Sequence, residues 1–211
     1  ILKNQNLSQW KICYKISDKL LKKNSSSNGF FELFFNSLKE LKIRNFEYFL
    51  FHNTKSLNSN YGKKIYESLI ELKKNGFIKK IGISAYSPSE VNQIIKKFSI
   101  DVIQIPVNVF DQRFLEKKIL KTLKKNKIEI HARSIFLQGL IDIKSEKLSI
   151  KFKKFLSVFR KWENFLKYNK SNAIKESINF LANIPQIDKI VVGVDNPKHL
   201  NVFFQNISKK N

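Results

Sequence analysis

The sequence predicts an α/β fold built on a parallel sheet, and three stretches carry that prediction. Ile78–Ser84, 101–106 and 128–134 are β-branched runs whose carboxyl ends bring up the polar residues Ser84, Gln104 and Ser134. Helix-patterned segments separate them, loops are short, and no linker divides the chain. Uniform βα alternation implies parallel strands joined by right-handed crossovers. A six-stranded open sheet and part of an eight-stranded barrel both satisfy the pattern. In either, ligands bind at the carboxyl ends of the strands, where these polar residues collect.

The elements follow in order. Residues 12–17 read as a strand and 25–29 as a loop. Phe30, Leu33, Phe34, Leu38 and Leu41 have helical spacing, with Asn28 as a candidate cap. Residues 46–52 form a second strand, apolar enough to be covered on both faces. A polar loop is expected over 53–61. Ile65, Leu69, Ile70 and Leu72 mark a helix that Asn75 and Gly76 stop. After the strand Ile78–Ser84, Ser87 reads as an N-cap, with Pro88 in the first turn and Glu90 completing a capping box. The strand at 101–106 precedes a helix over about 112–125, and the strand at 128–134 precedes a turn at Gln138 and Gly139. A basic, aromatic helix is expected over 148–167 and another over 173–182. The last strand is 188–194, and Pro197 opens a final helix.

Bulk properties narrow the class. The 211 residues are 42% hydrophobic and include 19 Phe, enough for one sizeable core. No apolar run reaches the ~20 residues of a membrane helix, and the start of the chain has no signal-peptide core. The formal charge is +23, but only four of the 40 basic residues are Arg, and the lysines are spread over many helix faces. That distribution reads as compositional bias rather than a nucleic-acid footprint. Neither a specific nucleic acid nor a membrane is expected as partner. Cys13 is the one cysteine and cannot form an internal disulfide, which suits a reducing cytoplasm. No residue cluster suggests a metal. The sequence holds no methionine, so a processed, trimmed or fragmentary chain is expected.

Two residues stand out at strand ends. Lys15, between Tyr14 and Ile16, is expected to point into the sheet or barrel interior, where its amine needs a partner. His52 closes an apolar strand and begins a polar loop. Taken alone, Lys15 reads more readily as a surface amine at an edge, and His52 as readily as a hydrogen-bonded core histidine as a functional one. No Gly-x-Gly-x-x-Gly or phosphate-loop motif follows a strand, which argues against an ordinary dinucleotide-binding domain or nucleotide hydrolase.

Five motifs in order resemble the aldo-keto reductase family. They are Phe51-His52-Asn53; the run from Gly76 to Ser84; Ile103 through Asn108; Ala132-Arg133-Ser134 with Gln138-Gly139-Leu140; and Ile190 through Val194 with Pro197 and Leu200. The resemblance implies a (β/α)8 barrel of the TIM type, of which this chain holds about six βα units, the third to the eighth. Residues 1–211 would then be a single domain incomplete at its N-terminus, with a helical insert at 148–167 after the seventh barrel strand. It also implies NADPH- or NADH-dependent reduction of an aldehyde or ketone, or the reverse oxidation of an alcohol or sugar.

The family's tetrad is Asp, Tyr, Lys and His. Tyr protonates the carbonyl oxygen, Lys paired with Asp depresses the Tyr pKa, and His orients the carbonyl. Lys15 and His52 match the Lys and His. By resemblance Asp and Tyr would lie just after the second barrel strand, and nothing in the chain is expected to match them, because it begins just before the third; Tyr14 and Asp18, beside Lys15 on the wrong element, are not replacements. By resemblance, Ser84 and Gln104 hold the nicotinamide carboxamide, although Ala85 stands where Asn is common. Arg133 would lie against the nicotinamide ring, and Ser134, Phe136, Gln138 and Gly139 would wrap the pyrophosphate. Gly193, Asp195 and His199 would meet the adenosine end, but Val202 and Phe203 replace a Glu-Asn pair there. Asn53 and Asn108 are the candidate substrate contacts. The competing expectations are an inactive relative serving as a binding or partner protein, and an unrelated basic βα protein that binds nucleic acid. Six of eight strands would leave open edges, so self-association is expected.

Overall fold

The computed structural model describes residues 7, 9–115, 117–194 and 196–207. Among them the strands are β1 (Cys13–Ile16), β2 (Phe46–Phe51), β3 (Ile78–Ser84), β4 (Val102–Pro106), β5 (Glu129–Arg133) and β6 (Lys189–Ile190). The helices are α1 (Asp18–Lys23), α2 (Ser27–Leu41), α3 (Thr54–Asn58), α4 (Asn60–Lys74), α5 (Pro88–Ile94), α6 (Lys117–Lys125), α7 (Leu156–Tyr168), α8 (Ala173–Ala182) and α9 (Pro197–Ile207). The six strands form one open sheet in the order β1-β2-β3-β4-β5-β6, with helices between successive strands. β1–β2, β2–β3, β3–β4 and β5–β6 pair in parallel.

The chain divides into two compact units. Ile1–Ile105 with Lys117–Ile130 makes the first, and Pro106–Glu116 with His131–Asn211 the second.

In the first unit, β2 is buried on both faces, as its apolar run predicts. Phe49 packs against Phe30 and Phe34 of α2, with ring centroids 5.9 and 5.8 Å apart. Tyr48 and Leu50, on the opposite face, cluster with Val102. Polar ties hold the amino-terminal ends of the strands. Asp101 accepts from Lys73 Nζ of α4 at 2.6 Å and from Ile81 N at 2.8 Å. Glu129 accepts from Tyr48 Oη at 2.9 Å and pairs with Lys80.

Helix starts follow local chemistry. Ser87 caps α5 by accepting from Glu90 N, while Glu90 accepts at 2.8 Å from Tyr86 N, one residue before the cap rather than the cap's own N–H that a capping box would use. Ser87→Ala is therefore expected to lower stability by about 1 kcal/mol, read from urea unfolding. The cap of α2 is Ser26, which accepts from Gly29 N at 3.1 Å, rather than the expected Asn28. The expected polar loop at 53–61 instead folds into α3 and the start of α4. Asn53 and Ser59 supply N-caps close enough together for two successive helices. The short helix α1, capped by Ser17, has too few turns to leave a periodic signal.

In the second unit, a 3-10 segment at Ile150–Phe155 leads into α7, so the expected helix over 148–167 is split in type. Phe159 of α7 is buried with its ring 5.0 Å from Phe110. The final strand is shorter than the expected 188–194. Only Lys189–Ile190 has strand pairing, and 191–194 is without regular structure.

Candidate active site

The first unit carries the predicted residues Lys15, His52 and Ser84 at or next to strand ends and Gln104 in the middle of β4. In register, Lys15 lies beside Leu50, Leu50 beside Gly82, and Gly82 beside Val102. These positions, with Gln104 two residues beyond Val102, share the face opposite α2. Half-buried Lys15 reaches across it, and its Nζ donates to Gln104 Oε1 at 2.7 Å. The amine thus has the polar partner that its interior placement requires. Gln104 is buried, and so is its register neighbour Ser84. Ala85 N donates to Gln104 O at 3.0 Å, which continues the ladder past the end of β3.

His52 is exposed, and its main-chain N donates to Ile16 O at 3.1 Å. Its ring lies edge-to-face with Tyr86, centroids 6.5 Å apart. Tyr86 is a residue the sequence reading missed. The available signal was an aromatic two residues beyond Ser84, at the start of a capped helix.

Behind His52, Asn53 is committed to the backbone: its Oδ1 accepts from Ser56 N at 2.8 Å and Ser56 Oγ at 3.0 Å. Asp18 joins the same cluster, accepting from Ser56 Oγ at 2.9 Å and Tyr61 Oη at 2.8 Å and pairing with Lys22 at 3.0 Å. The Lys22 ammonium first, then the Tyr61 and Ser56 hydroxyls, hold its carboxyl below the usual range. Tyr14 stacks on Phe49 at 5.1 Å. Both neighbours of Lys15 are therefore occupied elsewhere.

The second unit carries the remaining predicted residues. Arg133, at the end of β5, donates from Nη1 to Ser134 Oγ at 3.3 Å. Ser134, Leu137 and Gln138 have φ of 59, 48 and 56°, and Gly139 has 84°. Three non-glycine residues in the left-handed region within five positions mark a loop held against its local preference. Asn108 secures one end of it. Its Oδ1 accepts from Phe110 N and Asp111 N at 2.9 and 2.8 Å, and its Nδ2 donates to Ser134 O at 3.2 Å. Asn53 and Asn108, expected as substrate contacts, are thus engaged in capping and loop closure. Phe136 packs against Phe203 of α9 at 6.4 Å, while Gln138 and Gly139 are exposed. Gly193 is exposed, and exposed His199 donates its main-chain N to Asn196 Oδ1 at 3.0 Å at the start of α9. Asp195 lies outside the described residues.

A parallel βα sheet with polar residues at its strand ends defines a class of ligand-binding α/β proteins. Within it, the model of the aldo/keto reductase family matches residues 1–210, and the chain belongs to that family. The solved structures show the same fold. An aldo-keto reductase from Bacillus halodurans, in its holo form, superposes with a TM-score of 0.70 at 15% identity, over 88% of this chain and 61% of that one. A thermostable aldo-keto reductase in complex with the inhibitor epalrestat gives 0.67 at 19% identity, over 100% and 70%. An aldo/keto reductase from Brucella melitensis gives 0.63 at 15% identity, over 93% and 68%. The chain thus spans between 61% and 70% of the length of these three. Curated proteins yield no match.

Proposed function

We propose that residues 1–211 form the nicotinamide-side part of an NAD(P)H-dependent oxidoreductase that reduces an aldehyde or ketone, or runs the reverse oxidation. The carrying observation is the 2.7 Å hydrogen bond from Lys15 Nζ to Gln104 Oε1. It joins the residue matching the tetrad lysine to one matching the carboxamide-binding position. We read 1–211 as belonging to one barrel domain and place the reaction in the cytoplasm, where the reduced cofactor and a lone cysteine are compatible.

The chemistry of the donors fits the cofactor at one end. In the first unit, Gln104 and Ser84 offer buried polar groups suited to an amide. In the second, the left-handed loop at 134–139 beside Arg133 has the backbone form of an anion cradle. The adenosine end fits less well. Phe203 packs on Phe136, and the exposed Val202 adds no polar group. The reduced cofactor supplies the hydride. Lys15, in the place of the tetrad lysine, would favour ionisation of the proton-donating phenol. His52 donates a hydrogen bond that orients the carbonyl.

The second reading is an inactive relative that keeps the cofactor cradle. It is favoured by the engagement of Tyr14 and Asp18 away from Lys15, which leaves the proton donor unassigned among residues 1–211. Two measurements decide. The first is titration with NADPH and NADH, followed by fluorescence. Binding of either below about 1 mM, weakened roughly tenfold by Gln104→Ala, supports a cofactor-binding protein, and no binding removes both readings. The second is carbonyl-dependent NADPH oxidation by the product of the complete reading frame. Turnover supports the enzyme, and binding without turnover supports the inactive relative. The enzyme reading further requires an Asp and a Tyr, four to five residues apart, encoded upstream of Ile1.

A further inference from the structure

Residues 150–168 of the second unit carry a surface that the proposed reaction does not use. Helix α7 already has its internal contacts. Phe159 is buried against Phe110, Trp162 Nε1 donates to Ile141 O at 3.0 Å, and Glu163 accepts from Ser145 N and Oγ at 2.6 and 2.7 Å. Yet a second apolar row, partly covered at Trp162, reaches solvent at Val158 and Phe165. Val158, Trp162 and Phe165 recur at helical spacing on one flank. Val158 and Phe165 are exposed, Trp162 is half-buried, and the Trp162 and Phe165 rings stack at 5.5 Å. Ile150 before the helix and Tyr168 at its end are 83% and 89% exposed.

Lysines accompany this row. Lys151 and Lys154 lie over the rings of Phe152 and Phe155, at 5.0 and 5.1 Å, and Lys161 is exposed next to Trp162 in sequence. Exposed aromatic and aliphatic groups beside lysines form the surface of an interfacial helix, with apolar groups for the acyl boundary and ammonium groups for the headgroups. A second copy fits poorly, because a self-paired face would set these lysines against one another. Nucleic acid would leave Ile150 and Val158 without a stacking use. We propose that this face seats the protein on an anionic phospholipid surface. No described helix is long and apolar enough to cross a membrane, so the contact is peripheral. The proposal is independent of the oxidoreductase reading.

The test is co-sedimentation of the full chain with vesicles of phosphatidylcholine, alone or with about 30% phosphatidylserine. The comparison variant is Ile150→Ser/Phe155→Ser/Phe165→Ser, which keeps every charge. The expected result is binding to the mixed vesicles at least about tenfold stronger than to phosphatidylcholine, and at least about tenfold weaker in the variant. Equal binding by variant and parent would assign the affinity to the +23 charge alone and overturn the proposal. So would absence of binding to the mixed vesicles. Lipid-free self-association or RNA binding that the variant abolishes would assign the face to another occupant and also overturn it. Circular dichroism checks folding. If the triple variant unfolds, Ile150→Ser/Tyr168→Ser, at two apolar residues that are 83% and 89% exposed, replaces it under the same criteria.

Discussion

Lys15→Met is expected to lower kcat for carbonyl reduction by about 10²–10⁴-fold while leaving NADPH binding within about threefold, measured on the product of the complete reading frame. Methionine keeps most of the side-chain length and removes the charge. In the structure that charge is fixed rather than diffuse, because Lys15 Nζ, near the carboxyl end of β1, is held 2.7 Å from Gln104 Oε1 in the middle of β4. A cation so placed favours a negatively charged neighbour, whether an ionising phenol or the developing alkoxide of a reduced carbonyl. Its removal should therefore act on the chemical step more than on cofactor affinity. The pH profile separates this from a packing effect. Loss of the ammonium should move the basic limb of kcat/KM upward, since the proton donor no longer has its ionised form stabilised. Unchanged turnover in Lys15→Met would remove the lysine from the mechanism and leave its bond to Gln104 a structural tie.

The strand framework was legible because it depends on composition over several consecutive residues. The apolar run of β2 announced two covered faces, and Phe49 against Phe30 and Phe34 on one face with Tyr48 and Leu50 against Val102 on the other bear that out. The N-cap at Ser87 was legible because local residues determine it, although Glu90 closes on Tyr86 N instead of the cap's own N–H. Short helices were not. Asn53 and Ser59 read as polar loop residues, yet each accepts a main-chain hydrogen bond that starts a helix. Side-chain partnerships between distant strands were also hidden. Lys15 was expected to need a partner, but nothing local to it points to Gln104, 89 residues away. The same limit applies to Asn108. Its position invited a substrate role, whereas its three hydrogen bonds close the turn at 108–111 and tie it to Ser134. Tyr86 escaped notice because its neighbour His52 is distant in sequence.

Gly82→Val is expected to destabilise the first unit by at least about 4 kcal/mol, enough to remove much of the stability of an ordinary domain. Gly82 occupies the centre of β3 between Leu50 and Val102. A Cβ at this position would sit 2.2 Å from Val102 O and 2.8 Å from Leu50 Cδ2. The first contact is with backbone, so no rotamer change relieves it. β3 cannot shift to make room, because its register is shared with β2 on one side and β4 on the other, and Ile81 N is tied to Asp101. Valine adds two methyl groups to an already impossible Cβ, in a core packed like a solid. The consequence reaches the candidate site. Gly82 shares the face over which Lys15 extends toward Gln104, so a bulky side chain there would intrude on that path as well as part the strands. Thermal unfolding should show a Tm lowered by about 8–16 °C, or the variant should be recovered only as aggregate. Gly193→Ala is the control: its Cβ would meet nothing within 4 Å, and its stability should match the parent within about 0.5 kcal/mol. A Gly82→Val variant as stable as that control would mean that β3 and β4 are not held as closely as this register requires.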